Sequence, residues 1–218
     1  MSNLLTQLNG GNVPALDLIF LLTFAALLPS IVVMMTSFTR TIIIISFTRN
    51  AMGVQQAPPN MVLVGIALFL TLYIMSPVLD QINEEAYQPY IREEITQEEA
   101  VERMVVPLKE FMLRNTEIDT LDNFVRISGT AVEENVEDYP LTVVVPAFMT
   151  TELKQGFIAG FLIYLPFLLV DIIVATTLMS MGMVMLPPAM ISLPFKLLLF
   201  VTVNGWELLF TSIAQAYR

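Results

Sequence analysis

Residues 146–206 read PAFMTTELKQGFIAGFLIYLPFLLVDIIVATTLMSMGMVMLPPAMISLPFKLLLFVTVNGW, and this stretch decides the fold. It contains two apolar runs, each long enough to cross or deeply enter a hydrocarbon layer about 30 Å thick. Between them lie a cluster of methionines and the adjacent Pro187 and Pro188. Glu152, Lys154, Asp171 and Lys196 sit in or beside the runs. Intramembrane charge is costly, so each such residue reads as a functional group or as half of a buried pair.

Working outward, the composition agrees. Only 14% of the 218 residues are charged, where soluble domains carry about a quarter, and the mean hydropathy is +0.71. The chain reads as an all-α membrane protein, too short for several large domains. It has no Cys and no His. Zinc catalysis and Ser/His or Cys/His nucleophilic schemes therefore lack their usual residues, and no cofactor or metal is expected. The net charge of −10 argues against nucleic acid as a partner, because phosphate binding needs clustered Lys and Arg. Residues 1–14 lack the basic region of a secretory signal; either a signal has been removed or the first helix serves as its own.

Three regions follow along the chain. Residues 1–79 form an amino-terminal helical hairpin, 80–140 an acidic extracytoplasmic insert, and 141–218 a carboxyl-terminal hairpin. The first apolar run, 15–37, contains Asp17 and Pro29, and the proline is expected to kink it. A segment carrying Arg40 and Arg49 leads through Ala57-Pro58-Pro59-Asn60, a stop and restart, into the second run, 61–79. The insert holds 16 acidic and 5 basic residues, a net of −11, so the remainder of the −10 chain sums to +1. Thr96 with Glu99 three positions on resembles a capping box. Val101, Met104, Val105, Leu108, Phe111 and Met112 recur at helical spacing, with Pro107 expected to bend or divide that helix. Residues 118–127 suit a short second helix, 129–140 a polar loop, and 141–146 a strand or an extended lead-in. The third run extends from about Gly156 to Leu186, the fourth from Ala189 to about Ala216. Arg40 and Arg49, in a loop without acid, place that loop in the cytoplasm. The insert and both termini then lie outside, and the Pro187–Pro188 turn lies inside.

Several residues carry more than one reading. Met179, Met181, Met183 and Met185 alternate, a spacing that spreads them around a helix but aligns them on an extended segment. They read as adaptable packing at a helix end, or as a deformable constriction that gates by dewetting. Copper(I) on thioethers is a remote third reading, since neither Cys nor His supports it. Asp171 needs protonation or a partner. Pairing with Lys196 across the hairpin is favoured over a proton relay, which would need a chain of groups. Glu152 and Lys154 suit a solvated helix start, or Glu152 a bridge to a neighbouring subunit. Lys196 can snorkel to the cytoplasmic interface; Trp206 and Tyr217 suit an interfacial aromatic belt. Pro29, Pro166 and Pro194 inside apolar runs predict broken helices, whose freed backbone must be buried in protein or line an aqueous cavity. That favours a subunit of an assembly with a lumen.

The segments PAFMTTELKQGFIAGFLIYLPFLLVDIIVA and PFKLLLFVTVNGW resemble the two signature segments of the FliP family, the P subunit of the flagellar type III export gate, which injectisome homologues share. LLPSIVVMMTSFTRTIIIISFTRNAMGVQQAPPN, LFLTLYIMSPVLD and AYQPY are similar to the family's amino-terminal half. The resemblance implies bent helical hairpins, five copies of which assemble with Q and R subunits into a closed, helically arranged cone. That cone sits in the basal body at the inner membrane, largely raised toward the periplasm, and unfolded flagellar proteins pass through it. By resemblance, Met183, Val184 and Met185 occupy the methionine loop that forms a gasket around the pore. Many members have three consecutive methionines; here the middle one is Val184, which implies a stiffer ring, with Met181 placed to compensate. Glu152 matches an acid at subunit contacts, Lys196 the lysine of the PFK motif, and Asp171 the family's buried acid. The acidity of the insert has no assigned purpose.

The expected function is therefore a non-enzymatic, pore-forming subunit of a protein export gate. The alternative is a proton- or cation-coupled transporter or channel using Asp171. An intramembrane protease would need paired aspartates or a Ser/His couple at depth, and Asp171 stands alone there.

Overall fold

A computed structural model describes residues 15–54, 56–129 and 138–217, and every regular element among them is helical. The expectations about residues 1–14, and about most of the loop at 129–140, lie outside the described residues. In chain order the helices are α1 (Ala15–Met35), α2 (Phe38–Ala51), α3 (Asn60–Ile82), α4 (Gln88–Ile91), α5 (Gln97–Arg114), α6 (Ile118–Ser128), α7 (Leu141–Ser180), α8 (Pro188–Thr202) and α9 (Gly205–Gln215). A π-helical turn, Asn83–Tyr87, joins α3 to α4, so the apolar span enters the acidic region without a break.

The rod Asn60–Ile91 and the 40-residue α7 are each long and apolar enough to cross a membrane. Two bent pairs bring the total to as many as four spans: 29–35 with α2, bent by 81°, and α8 with α9, bent by 61°. At 1.5 Å per residue α7 is about 60 Å long, about twice the hydrocarbon thickness. Its amino-terminal half is anchored in protein, through the buried Val144, Phe148 and Thr151. Its other half presents Phe161, Leu162, Leu169 and Ile173 outward.

Three apolar clusters hold the helices together. Ile45 of α2, Leu63 and Ala67 of α3, and Leu209 and Ile213 of α9 form the first. Met75 and Val78 of α3, Phe111 and Met112 of α5, Val144 and Phe148 of α7, and Tyr217 form the second, which binds the insert to the spans. Ala51, Met52, Phe167 and Phe200 form the third. A fully buried Phe or Leu contributes roughly 1.5–3 kcal/mol, so the second cluster is enough to fix the insert in place. The α2–α7 contact depends on two glycines. A Cβ on Gly156 would lie 3.2 Å from Ile43, and one on Gly160 only 2.6 Å from the Phe47 ring. Four residues apart, they clear one helix face for close approach.

The helices bend, but the prolines do not break them. Pro29, Pro77, Pro107, Pro146, Pro166 and Pro194 all lie inside helices that continue past them. Local adjustment of the turn accommodates each lost hydrogen bond. The breaks fall where side chains or special backbone take over. At 36–37 the Thr36 hydroxyl donates to the Val32 carbonyl at 2.6 Å and the Thr39 hydroxyl donates to that of Val33 at 2.9 Å, satisfying the end of α1. At 203–204, Asn204 adopts a left-handed conformation (φ 51°), which Asn tolerates better than most residues. Gly205 follows because a Cβ there would strike the Phe200 ring at 2.3 Å.

Other expectations change as well. Residues 141–145 begin α7 as helix, neither strand nor extended lead-in, so the third run starts 15 residues before Gly156. Pro107 leaves α5 undivided. Arg40 is not in a loop: it lies in the first turn of α2 and is buried. Its charge is therefore used inside the protein, and of the two arginines only Arg49, in the last turn of the same helix and so not in a loop either, still bears on the positive-inside argument. The capping box is present, with both the Thr96 and the Glu99 hydrogen bonds formed.

Candidate functional site

Glu152, in the amino-terminal third of α7, is fully buried. One carboxylate oxygen accepts from the Arg40 guanidinium of α2, the other from the Tyr217 hydroxyl beyond α9. Arg40 also lies over the Tyr217 ring, its Cζ 4.4 Å from the centroid, and that ring stacks on Phe111 of the insert. Among the described residues the Arg40 Nε has no hydrogen-bond partner. A buried pair of this kind is stable only with extra hydrogen bonds on the carboxylate, and Tyr217 supplies one. The solvated-start reading of Glu152 is thus overturned, as is the interfacial-belt reading of Tyr217. Trp206 also faces inward, edge-on to Phe200 at 5.1 Å.

One turn away, α7 grips the insert. The Glu117 carboxylate accepts from Lys154 Nζ and from Gln155 Nε2, each at 2.6 Å, while its backbone N–H donates to Thr151 Oγ1 at 3.2 Å. The hydrogen bond from Lys154, then that from Gln155, holds the Glu117 carboxyl below the ordinary carboxylate range.

Asp171 and Lys196 meet across the α7–α8 hairpin, Nζ to Oδ2 at 2.6 Å. Ser192 Oγ donates to the other carboxylate oxygen at 2.6 Å. Lys196 is buried, so its ammonium is held against the acid and does not snorkel to an interface.

Beyond this pair the hairpin turns at the methionines. Gly182 takes a left-handed φ of 73°; its N–H donates to the Met179 carbonyl and that of Met183 to the Leu178 carbonyl. These two bonds are the Schellman pattern that closes a helix at a glycine. Pro187 and Pro188 then start α8, Pro188 at a position where a missing N–H costs nothing. Between them Met181 is 63% exposed, Met183 43%, Val184 78% and Met185 98%. Three thioether side chains and one valine thus project from a turn that is pinned at both ends.

The FliP family profile matches residues 21–213, nearly the whole chain. The chain belongs to the FliP family. It is 49% identical over 211 residues to the flagellar biosynthetic protein FliP of Aquifex aeolicus, covering 96% of this chain and 88% of that protein. The same-named protein of Bacillus subtilis is 48% identical over 200 residues, covering 92% and 90%. That of Pectobacterium carotovorum is 49% identical over 211 residues, covering 96% and 82%.

In this FliP-family chain two partners of Glu152 escaped the sequence reading. Arg40 and Tyr217, 112 and 65 residues from Glu152, complete its cluster. A signal was present: outside the insert the acids are Asp17, Glu152, Asp171 and Glu207 alone, so an arginine buried in a β-branched helix had few possible partners. The pattern Gly156-x-x-x-Gly160, which the sequence reading did not use, is likewise a signal of close helix approach, though not of which helix approaches.

Proposed function

We propose that this chain is the pore-forming core subunit of a flagellar type III protein export gate, passing unfolded flagellar proteins across the bacterial inner membrane. It assembles as about five copies with Q and R subunits into a helical cone within the basal body, partly on the periplasmic side. Membership of the FliP family supports the flagellar role. The observation that carries the pore role is the methionine turn. An apolar loop fixed at both ends and exposed at its tip suits a ring contributed by several copies, closing by dewetting and deforming around a passing chain.

The test is ion leak in cells or vesicles containing the assembled gate. Met183→Ala combined with Met185→Ala is expected to raise leak several-fold, and unchanged leak in a correctly assembled gate excludes the gasket role. A transporter using Asp171 is the competing reading. Asp171 is already ion-paired with Lys196 and accepts a hydrogen bond from Ser192 within one hairpin, which favours a structural acid. Asp171→Asn is accordingly expected to lower the yield of assembled complex; intact assembly with lost ion coupling would favour the transporter.

A further inference from the structure

Seven methionines are exposed among the described residues. Met34 and Met61 stand apart, while Met179, Met181, Met183, Met185 and Met190 fall within twelve consecutive positions. Met52, Met75 and Met112 are buried. The thioether sulfur this chain offers to water is therefore gathered around the turn between α7 and α8. The tip of that turn is held in place. The hydrogen bonds at Gly182 fix one end and Pro187–Pro188 the other, and between them the Leu186 N–H donates to the Met183 carbonyl at 3.4 Å. Met185 projects almost wholly from it, and Met183 nearly half.

An accessible thioether is open to two-electron oxidation. Its sulfur lone pair attacks one oxygen of a peroxide and the O–O bond breaks. The sulfur is oxidised to the sulfoxide, and the departing hydroxide takes the proton of the transferred oxygen and leaves as water. A flexible apolar side chain becomes a polar one with a strong acceptor at its end. An apolar constriction closes by dewetting, because water inside it has no partner on the wall. Each sulfoxide supplies that partner. Val184, the other exposed side chain at the tip, has no sulfur, so Met183 and Met185 carry the change there.

We propose that Met183 and Met185 are a reversible oxidation site, and that peroxide-class oxidants, by converting them to sulfoxides, wet the closed constriction and let ions through. The inference rests on the gasket reading of the turn and adds a redox control to it.

The test uses the full-length chain in its assembled gate, reconstituted in vesicles and treated with hydrogen peroxide. Peptide mass spectrometry follows the gain of about 16 Da at each methionine, and ion leak is read on the same samples. Leak is expected to rise several-fold in step with oxidation at positions 183 and 185. The two methionine sulfoxide reductases, one per sulfoxide epimer, should return it to the untreated value with dithiothreitol as reductant. Met183→Leu combined with Met185→Leu, close in volume but without sulfur, should lose the response to peroxide relative to its own untreated leak. Met61→Leu, on α3, should keep it. Unchanged leak with both sulfurs oxidised overturns the proposal, as does a response that persists in the double leucine variant. So does a gate in which positions 183 and 185 stay unoxidised while Met61 is fully converted. If the alanine pair raises leak and sulfoxide formation does not, the redox control falls and the gasket stands; if neither raises it, both fall.

Discussion

Glu152 shows how one residue sets its surroundings. Its carboxylate is out of water and holds two partners from distant parts of the chain, Arg40 and Tyr217. Removing one member strands a charge. Glu152→Gln or Arg40→Met alone is expected to destabilise the chain by about 3–5 kcal/mol, because the surviving ion stays buried without compensation. The double variant, Arg40→Met with Glu152→Leu, should recover most of that loss, since no charge remains to be solvated. Tyr217→Phe deletes one hydrogen bond to a charged group and should cost about 1.5–3 kcal/mol. Denaturant titration in detergent gives all four values. A double variant no more stable than either single one would show that packing, and not charge, dominates at the site.

Among the elements, the α2–α7 pair is the most constrained. Gly160 sits under the Phe47 ring, and the edge-on pair of Phe47 with Phe157, centroids 5.5 Å apart, leaves that ring little room to move. Gly160→Val should therefore separate the two helices and cost about 1–3 kcal/mol by overpacking. A paired Phe47→Ala substitution should relieve part of the clash, which thermal unfolding of the two variants would reveal. The α8–α9 corner follows the same logic in reverse. A ring placed against Gly205 and a left-handed Asn204 create the bend, so the chain turns by 61° where no proline lies.

At the scale of the molecule, the acidic insert and the membrane helices are joined by the Phe111–Phe148–Tyr217 cluster and by the Glu117 clip. The clip is pH-dependent, and the sign follows from its cause. Folding lowers the Glu117 pKa, so the unfolded chain binds that proton more readily. The contribution is full above the unfolded value near 4.5 and fades as pH falls through the lower folded value. The protection factor of amides in the first turn of α6, measured against the intrinsic exchange rate at each pH, is expected to fall on acidification in wild type. Glu117→Gln should show lower protection at neutral pH and lose that pH response; an unaltered response would assign it to other acids of the insert.

The sequence alone determined the all-helical class, the apolar spans, the capping box on α5, the family and the residues of the methionine turn. These depend on local pattern: run length, capping chemistry, and glycine and proline placed where a helix must end. Tertiary structure alone decided where the helices bend, that Arg40 is a buried partner and not a loop charge, and that Tyr217 reaches Glu152. Those outcomes depend on which faces meet in space. An arginine's charge reads the same in a sequence whether it lies in water or against a carboxylate 112 residues away, and only packing chooses between the two.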